Sequence, residues 1–379
     1  MTTGLRQAAG SLLVVGLSGS ELTGLERAWL RLVRPGGVIL FKRNITDAAQ
    51  TRALLDETTG FCASHAVRAV DVEGGTVNRL RDVLAPLPSA QAAGAALKVS
   101  RKAVVAREHG ELIARAVKAF GFNTTFAPVL DLGLPESAQV MGSRCAGLTG
   151  QEVVAYARPF LDGLRSEGVA GCGKHFPGLG GGVVDSHFET PAIQRSWQKL
   201  WDEDLAPYRE LKSAMPMVMV NHAAYPETCS KDEPASASSF WIATVLRKQI
   251  GYRGLIVSDD LEMGGILKFL SVDEAAVAAV QAGTDLMLIC HSTELILRAY
   301  EALLAAAERS AVFRTLLLAR ARDVARKRTR LSTRANTIGL TSKQLDALRV
   351  KILKWGERVA ALTQGDAIDP RAASPAETS

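Results

Sequence analysis

GLIVSDD, residues 254–260, runs through Leu255, Ile256 and Val257 without a polar break and then ends on Ser258, Asp259 and Asp260. A strand with one face in water alternates apolar and polar residues, whereas a strand buried on both faces, as in a parallel sheet, is continuously apolar. The same kind of run recurs as LLVVGL (12–17), GGVILF (36–41), VRAVDV (67–72), FNTTFAPVL (122–130), GVAGCGKH (168–175), PMVMVNH (216–222) and TDLMLIC (284–290). Longer segments with helical spacing separate these eight runs, over 21–33, 47–64, 98–120, 149–166, 196–214, 237–250, 272–282 and 292–308. Val153, Ala157, Phe160, Leu161 and Leu164 keep to one helix face, for example. Eight β/α units in one continuous chain predict an α/β fold, a single-domain (β/α)8 barrel, in preference to a doubly wound sheet.

Polar residues fall at or just past the carboxyl ends of the runs: Asp71, Asp131, Lys174, His175, Asn221, His222, Asp259, Asp260 and His291. That rim is where barrels of this type build active sites. Beyond the eighth unit, Leu345, Leu348, Ile352, Trp355 and Val359 make one apolar stripe, so a C-terminal helix is expected to pack on the barrel. The expected division is a catalytic barrel over 1–335, a packed helix over 336–363 and a flexible tail over 364–379, where apolar residues are sparse.

Composition narrows the function classes. The chain has 379 residues, 47% of them hydrophobic, and no window resembles a membrane span. Its first apolar run is too short for a signal-peptide core, which predicts a cytoplasmic protein with no membrane partner. Five cysteines (62, 145, 172, 229 and 290) are scattered without a CxxC pair, so neither disulfides nor a structural zinc site is expected. The net charge of +6 comes mostly from residues 314–334, which hold eight Lys/Arg and one acid, Asp323. That segment is expected to be a solvated helix face or a subunit contact, not a nucleic-acid site. Oligomeric state is left open. No GxGxxG, P-loop or HExxH pattern occurs, so neither cofactor nor metal is called for.

What remains is carboxylates, histidines, arginines and a lysine around one rim, suited to proton transfer and displacement on a hydroxyl-rich substrate. Asp259 and Asp260 end a rigid strand, and alternation lets only one of them face the pocket. The competing reading of either aspartate is an N-cap for the helix that follows. GCGKHFPGLGGGVVDSHFET, residues 171–190, carries Lys174, His175, Asp185 and His187 on a glycine-rich loop that cannot hold a helix. In an extended segment Asp185 and His187 share a face, so the carboxylate can fix the imidazole tautomer and leave the other nitrogen to carry a proton.

GGVILFKRNI, DVEGGTVNRL, FAPVLDLG, VMGSRCAG, GKHFPGLGGGVVDSH, VMVNHAAYP and GYRGLIVSDDLEM, in this order from about Leu12 to His291, resemble the family 3 glycoside hydrolases. The resemblance is to their single-domain bacterial β-N-acetylglucosaminidases of peptidoglycan recycling. It implies a retaining exo-β-N-acetylglucosaminidase with Asp259 as nucleophile, His187 as acid/base and Asp185 as its partner. It also implies that Asp71, Arg79, Arg144, Lys174 and His175 bind the sugar, and that the partner is a small carbohydrate. Val72, Thr76 and Asn78 depart from the family's DQEGGRVQR, and Leu179 stands where the family commonly has histidine. Alternative readings are a phosphorolytic enzyme or β-glucosidase of the same family, and a carbohydrate-binding barrel without turnover.

Overall fold

The computed structural model describes residues 3–182, 191–229, 233–332 and 339–363. Asp185, His187 and the tail over 364–379 lie outside them. Eight strands close into a parallel barrel: β1 (Leu13–Val15), β2 (Gly37–Leu40), β3 (Val67–Val70), β4 (Thr124–Thr125), β5 (Ala170–Phe176), β6 (Met217–Val220), β7 (Leu255–Asp260) and β8 (Leu286–Ile289). Each pairs with its neighbours in sequence order, and β8 returns to β1 through the register Leu13↔Met287, Val14↔Leu288 and Val15↔Ile289. All residues of β1, β2, β5, β6 and β8 are buried. Their unbroken apolar runs therefore report a wall covered on both faces.

The fourth strand is shorter than its run of sequence. Pro128 has no N–H to give, yet the pairing resumes beyond it, with Lys174 N donating to Pro128 O at 3.2 Å and Leu130 N to Lys174 O at 2.6 Å. Between β3 and β4 the single helix expected over 98–120 is two, Ala90–Ser100 and Val104–Ala119. Arg101 breaks them with φ 54°, and Ser89 caps the first by accepting from Ala92 N. The alanine-rich first helix buries small side chains and so has no strong periodic stripe to read. Immediately after β3 a short antiparallel hairpin, Val72–Gly74 with Val77–Asn78, lies over the barrel mouth.

The segment 314–334 corrects an expectation. Most of it belongs to the helix Ala311–Ser332, but Arg320, Lys327 and Arg328 turn inward instead of forming a solvated face. Arg320 and Lys327 pair with the fully buried Asp285 at 3.3 and 3.0 Å, and Arg328 donates to Gly36 O at 2.7 Å. The helix Ser342–Leu362 buries Leu348, Ile352, Trp355 and Val359 and lies against the helices Ala90–Ser100 and Val104–Ala119. Among the described residues no helix is long and apolar enough to cross a membrane.

Candidate active site

Asp71 sits one residue past β3, and the hairpin that follows folds Arg79 back so that its N–H donates to Asp71 O at 3.1 Å. Gly74 and Gly75 make the turn with φ 95° and 62°. A β-carbon on Gly74 would stand 2.2 Å from Pro88 O and 3.1 Å from His109 Nε2, so the chain there has room only for glycine. Just before the two glycines Glu73 turns into the mouth, 2% exposed.

Glu73 is the centre of a connected ion network. Its carboxylate accepts two hydrogen bonds from Arg144, Nε to Oε2 and Nη2 to Oε1, both 2.9 Å, and lies 2.6 Å from Lys174 Nζ. Lys174 also donates to Asp71 Oδ1 at 2.9 Å. Burial opposes charge on all three members, but Arg144 and Lys174 hold the Glu73 carboxyl well below the usual range. In return Glu73 holds Arg144 high, and Asp71 with Glu73 holds Lys174 high, each against its desolvation. The network stays ionised through ordinary pH.

From Arg144 the chain of contacts continues to His175, whose Nε2 is 3.2 Å from Arg144 Nη2. A guanidinium only donates, so Nε2 accepts and the ring proton lies on Nδ1, which donates to the buried Asp131 Oδ2 at 2.6 Å. Asp131 also accepts from His175 N at 3.1 Å and Leu179 N at 2.7 Å. Leu179, the departure from the family pattern, is buried in the core beside this anchor. Asn221, past β6, donates to His175 O at 3.0 Å, and Tyr225 donates to Gly178 O at 2.7 Å. The root of the glycine-rich loop is thus tied down at residues 175–179.

Asp259 and Asp260 close β7 and divide as alternation requires. Neither caps the next helix, which begins at Gly264 behind Met263. Asp260 accepts from Glu262 N at 3.1 Å and lies 3.6 Å from His291 Nε2. Burial, reinforced by Glu262, pushes its carboxyl well up. Asp259 accepts from Asp260 N at 3.0 Å. The Cys172 thiol in the barrel interior is pushed up mainly by burial, but it also feels Lys174, Asp71 and Asp259 together. Asp260, Glu262 and His291 are the one group among the described residues whose ligand atoms gather tightly, within 4.8 Å. Glu262 is already engaged there, accepting from Cys290 N at 2.6 Å, Ser292 N at 2.7 Å and His291 N. The trio holds the start of the helix after β8.

Of the residues the sequence singles out, Asp71, Lys174, Arg144 and His175 form one network, Arg79 joins it through the hairpin, and Asp259 stands at the end of β7 of the same barrel. Arg79 also lies over the Phe41 ring, 5.6 Å from its centroid. Asp185 and His187 fall outside the described residues. Glu73 was missed, although a signal existed: two residues beyond Asp71 in an extended strand, it shares that residue's face.

Comparison with known proteins places the fold in a family. Residues 5–326 match the family described as Glycosyl hydrolase family 3 N terminal domain. A beta-hexosaminidase of Haemophilus ducreyi is 35% identical over 286 residues, 75% of this chain and 82% of that one. A family 3 beta-N-acetylglucosaminidase structure from Paenibacillus superposes with a TM-score of 0.83 at 32% identity, covering 95% of this chain and 69% of that one. NagZ from Neisseria gonorrhoeae, in complex with N-trifluoroacetyl-D-glucosamine, superposes with a TM-score of 0.74 at 29% identity, covering 93% of this chain and 98% of that one. The closed barrel and the relatives agree, and the chain belongs to glycosyl hydrolase family 3, alongside its β-hexosaminidases.

Proposed function

We propose that the protein is a retaining exo-β-N-acetylglucosaminidase that releases terminal N-acetylglucosamine from peptidoglycan fragments or related β-linked oligosaccharides. The observation that carries this reading is the hydrogen-bonded network Asp71–Lys174–Glu73–Arg144–His175 at the rim of the barrel whose β7 carries Asp259 at its end, in a chain whose relatives are named beta-hexosaminidases. Such a network presents fixed donors and acceptors to sugar hydroxyls without reorganising during the reaction. Asp71, Arg79, Arg144, Lys174 and His175 are assigned to sugar binding, and Glu73 to holding two of them.

In the proposed reaction Asp259 attacks the anomeric carbon while His187, oriented by Asp185, protonates the leaving oxygen. Water then enters, His187 takes its proton, and the sugar leaves with its configuration retained. A carboxylate is thus paired with an imidazole where most glycosidases use two carboxylates. The roles of Asp185 and His187 rest on the resemblance of the DSH segment.

The test is turnover on a series of nitrophenyl sugars, with and without inorganic phosphate. N-acetylglucosaminide should be cleaved in preference to glucoside, and phosphate should not change the product; a sugar phosphate product would replace hydrolysis with phosphorolysis. Asp259→Ala should lose turnover by at least about 10⁴-fold and still bind N-acetylglucosamine. His187→Ala should slow ordinary glycosides far more than nitrophenyl glycosides in the first step, because a good leaving group needs no proton. Equal losses on both would remove the acid role from His187.

A further inference from the structure

We propose that the amino-terminal face of the barrel, opposite the rim that carries Asp259, holds a binding site for a phosphoryl group on a small polar molecule. A cavity of about 510 Å³ opens there among the loops that feed β2, β3 and β4. Its walls include Arg34, Thr59, Cys62, His65, Arg68 and Asn123, and no carboxylate is among its described lining residues. The volume falls within the range of small-molecule pockets, large enough for a phosphorylated monosaccharide.

The cations are arranged to receive an anion. Arg68 is oriented by Asp56 and Thr59, each at 2.7 Å. The Arg34 side chain is exposed and makes no ion pair with a described residue. Arg328, which donates to Gly36 O ahead of β2, is only 2% exposed, and its Nε has no hydrogen-bond partner among the described residues. Burial without a neighbouring carboxylate lowers the Arg328 guanidinium to about 10. Arg34 and Arg68 both line the cavity together with the buried Cys62, so two guanidiniums share its wall. Arginine's planar fork matches phosphate oxygens in pairs, and His65 offers an N–H in either tautomer.

Backbone geometry adds an independent observation. Arg34 and His65, on facing loops of the cavity, have φ of 54° and 57°, in the left-handed region where side chains are disfavoured. Glycine would hold both turns with less strain, and strain of this kind gathers where a side chain serves a ligand.

Isothermal titration of the full chain with inorganic phosphate, glucose 6-phosphate and, as the uncharged control, glucose tests the proposal. Saturable binding of one or both phosphates, and none of glucose, is expected; the tighter of the two tells whether the occupant is free phosphate or an ester. The double variant Arg34→Gly, His65→Gly should weaken that binding at least tenfold while its melting temperature stays equal or rises. Saturating N-acetylglucosamine should leave phosphate affinity unchanged. No saturable phosphate binding, undiminished binding by the double variant, or displacement by N-acetylglucosamine would overturn the site.

Discussion

Replacing Glu73 by glutamine removes one charge and leaves two buried cations, Lys174 and Arg144, facing each other. Breaking a buried ion network from one side costs on the order of 3–5 kcal/mol, because the remaining charges stay desolvated. Glu73→Gln should therefore lower kcat/KM on a nitrophenyl N-acetylglucosaminide by about 100-fold or more, with a raised KM, and lower the melting temperature. An unchanged KM would show that Glu73 does not position the sugar-binding cations. A second residue sets a pH dependence. Asp204 is buried against Gly178 with Arg195 Nε 2.8 Å away, and burial outweighs that cation to bring its carboxyl up to about 7. An acid raised in the folded state keeps a proton that the unfolded chain has released, so its stabilisation is full below about pH 4 and is lost as pH rises through about 7. Wild-type stability should fall over that interval by on the order of 2–4 kcal/mol more than that of Asp204→Asn. Equal slopes in denaturation followed from pH 4 to 8 would exclude Asp204 as the cause.

Among the elements, the hairpin after β3 depends on a helix distant in sequence. Trp355, on the helix Ser342–Leu362, stacks on His109 with ring centroids 4.6 Å apart. His109 in turn holds Tyr156 OH at 2.9 Å and lies under Gly74, next to Glu73. Burial lowers the His109 ring to about 3, so it is an uncharged packing surface at neutral pH. The same helix sends Arg349 Nε to Leu84 O at 2.7 Å, and Leu87 O receives Gly75 N at 2.8 Å. Trp355→Ala should cost roughly 3–5 kcal/mol of stability, as large-to-small changes in a core do. It should also raise KM for the substrate, whereas truncating the exposed Leu353 should change neither; calorimetry with steady-state kinetics checks both. A packed helix was legible from the stripe Leu348, Ile352, Trp355 and Val359. Its partners were not, because periodicity names a buried face and not what covers it.

At the scale of the molecule buried charges also tie the helix Ala311–Ser332 to the amino-terminal floor of the barrel. On the floor Asp285 precedes β8 with its carboxylate fully buried among Arg247 at 2.6 Å, Lys327 at 3.0 Å and Arg320 at 3.3 Å. Asp285→Ala should destabilise the protein by on the order of 3–5 kcal/mol. Arg326→Ala, on the exposed side of the same helix, should stay within about 0.5 kcal/mol, both read from denaturant unfolding. The contrast separates the helix's inward charges from its outward ones, which its composition alone did not do. By itself the sequence determined what depends on near neighbours: eight largely apolar strand runs, the polar residues at their carboxyl ends, and the fact that alternation lets only one of two adjacent aspartates face the pocket. The tertiary structure alone decided the partners, since Glu73 meets Lys174 and Arg144, and Asp285 meets Lys327, across long stretches of chain. Burial pattern is written locally in the order of residues, whereas the pairing of buried charges is chosen only when closure of the barrel brings remote segments out of water together.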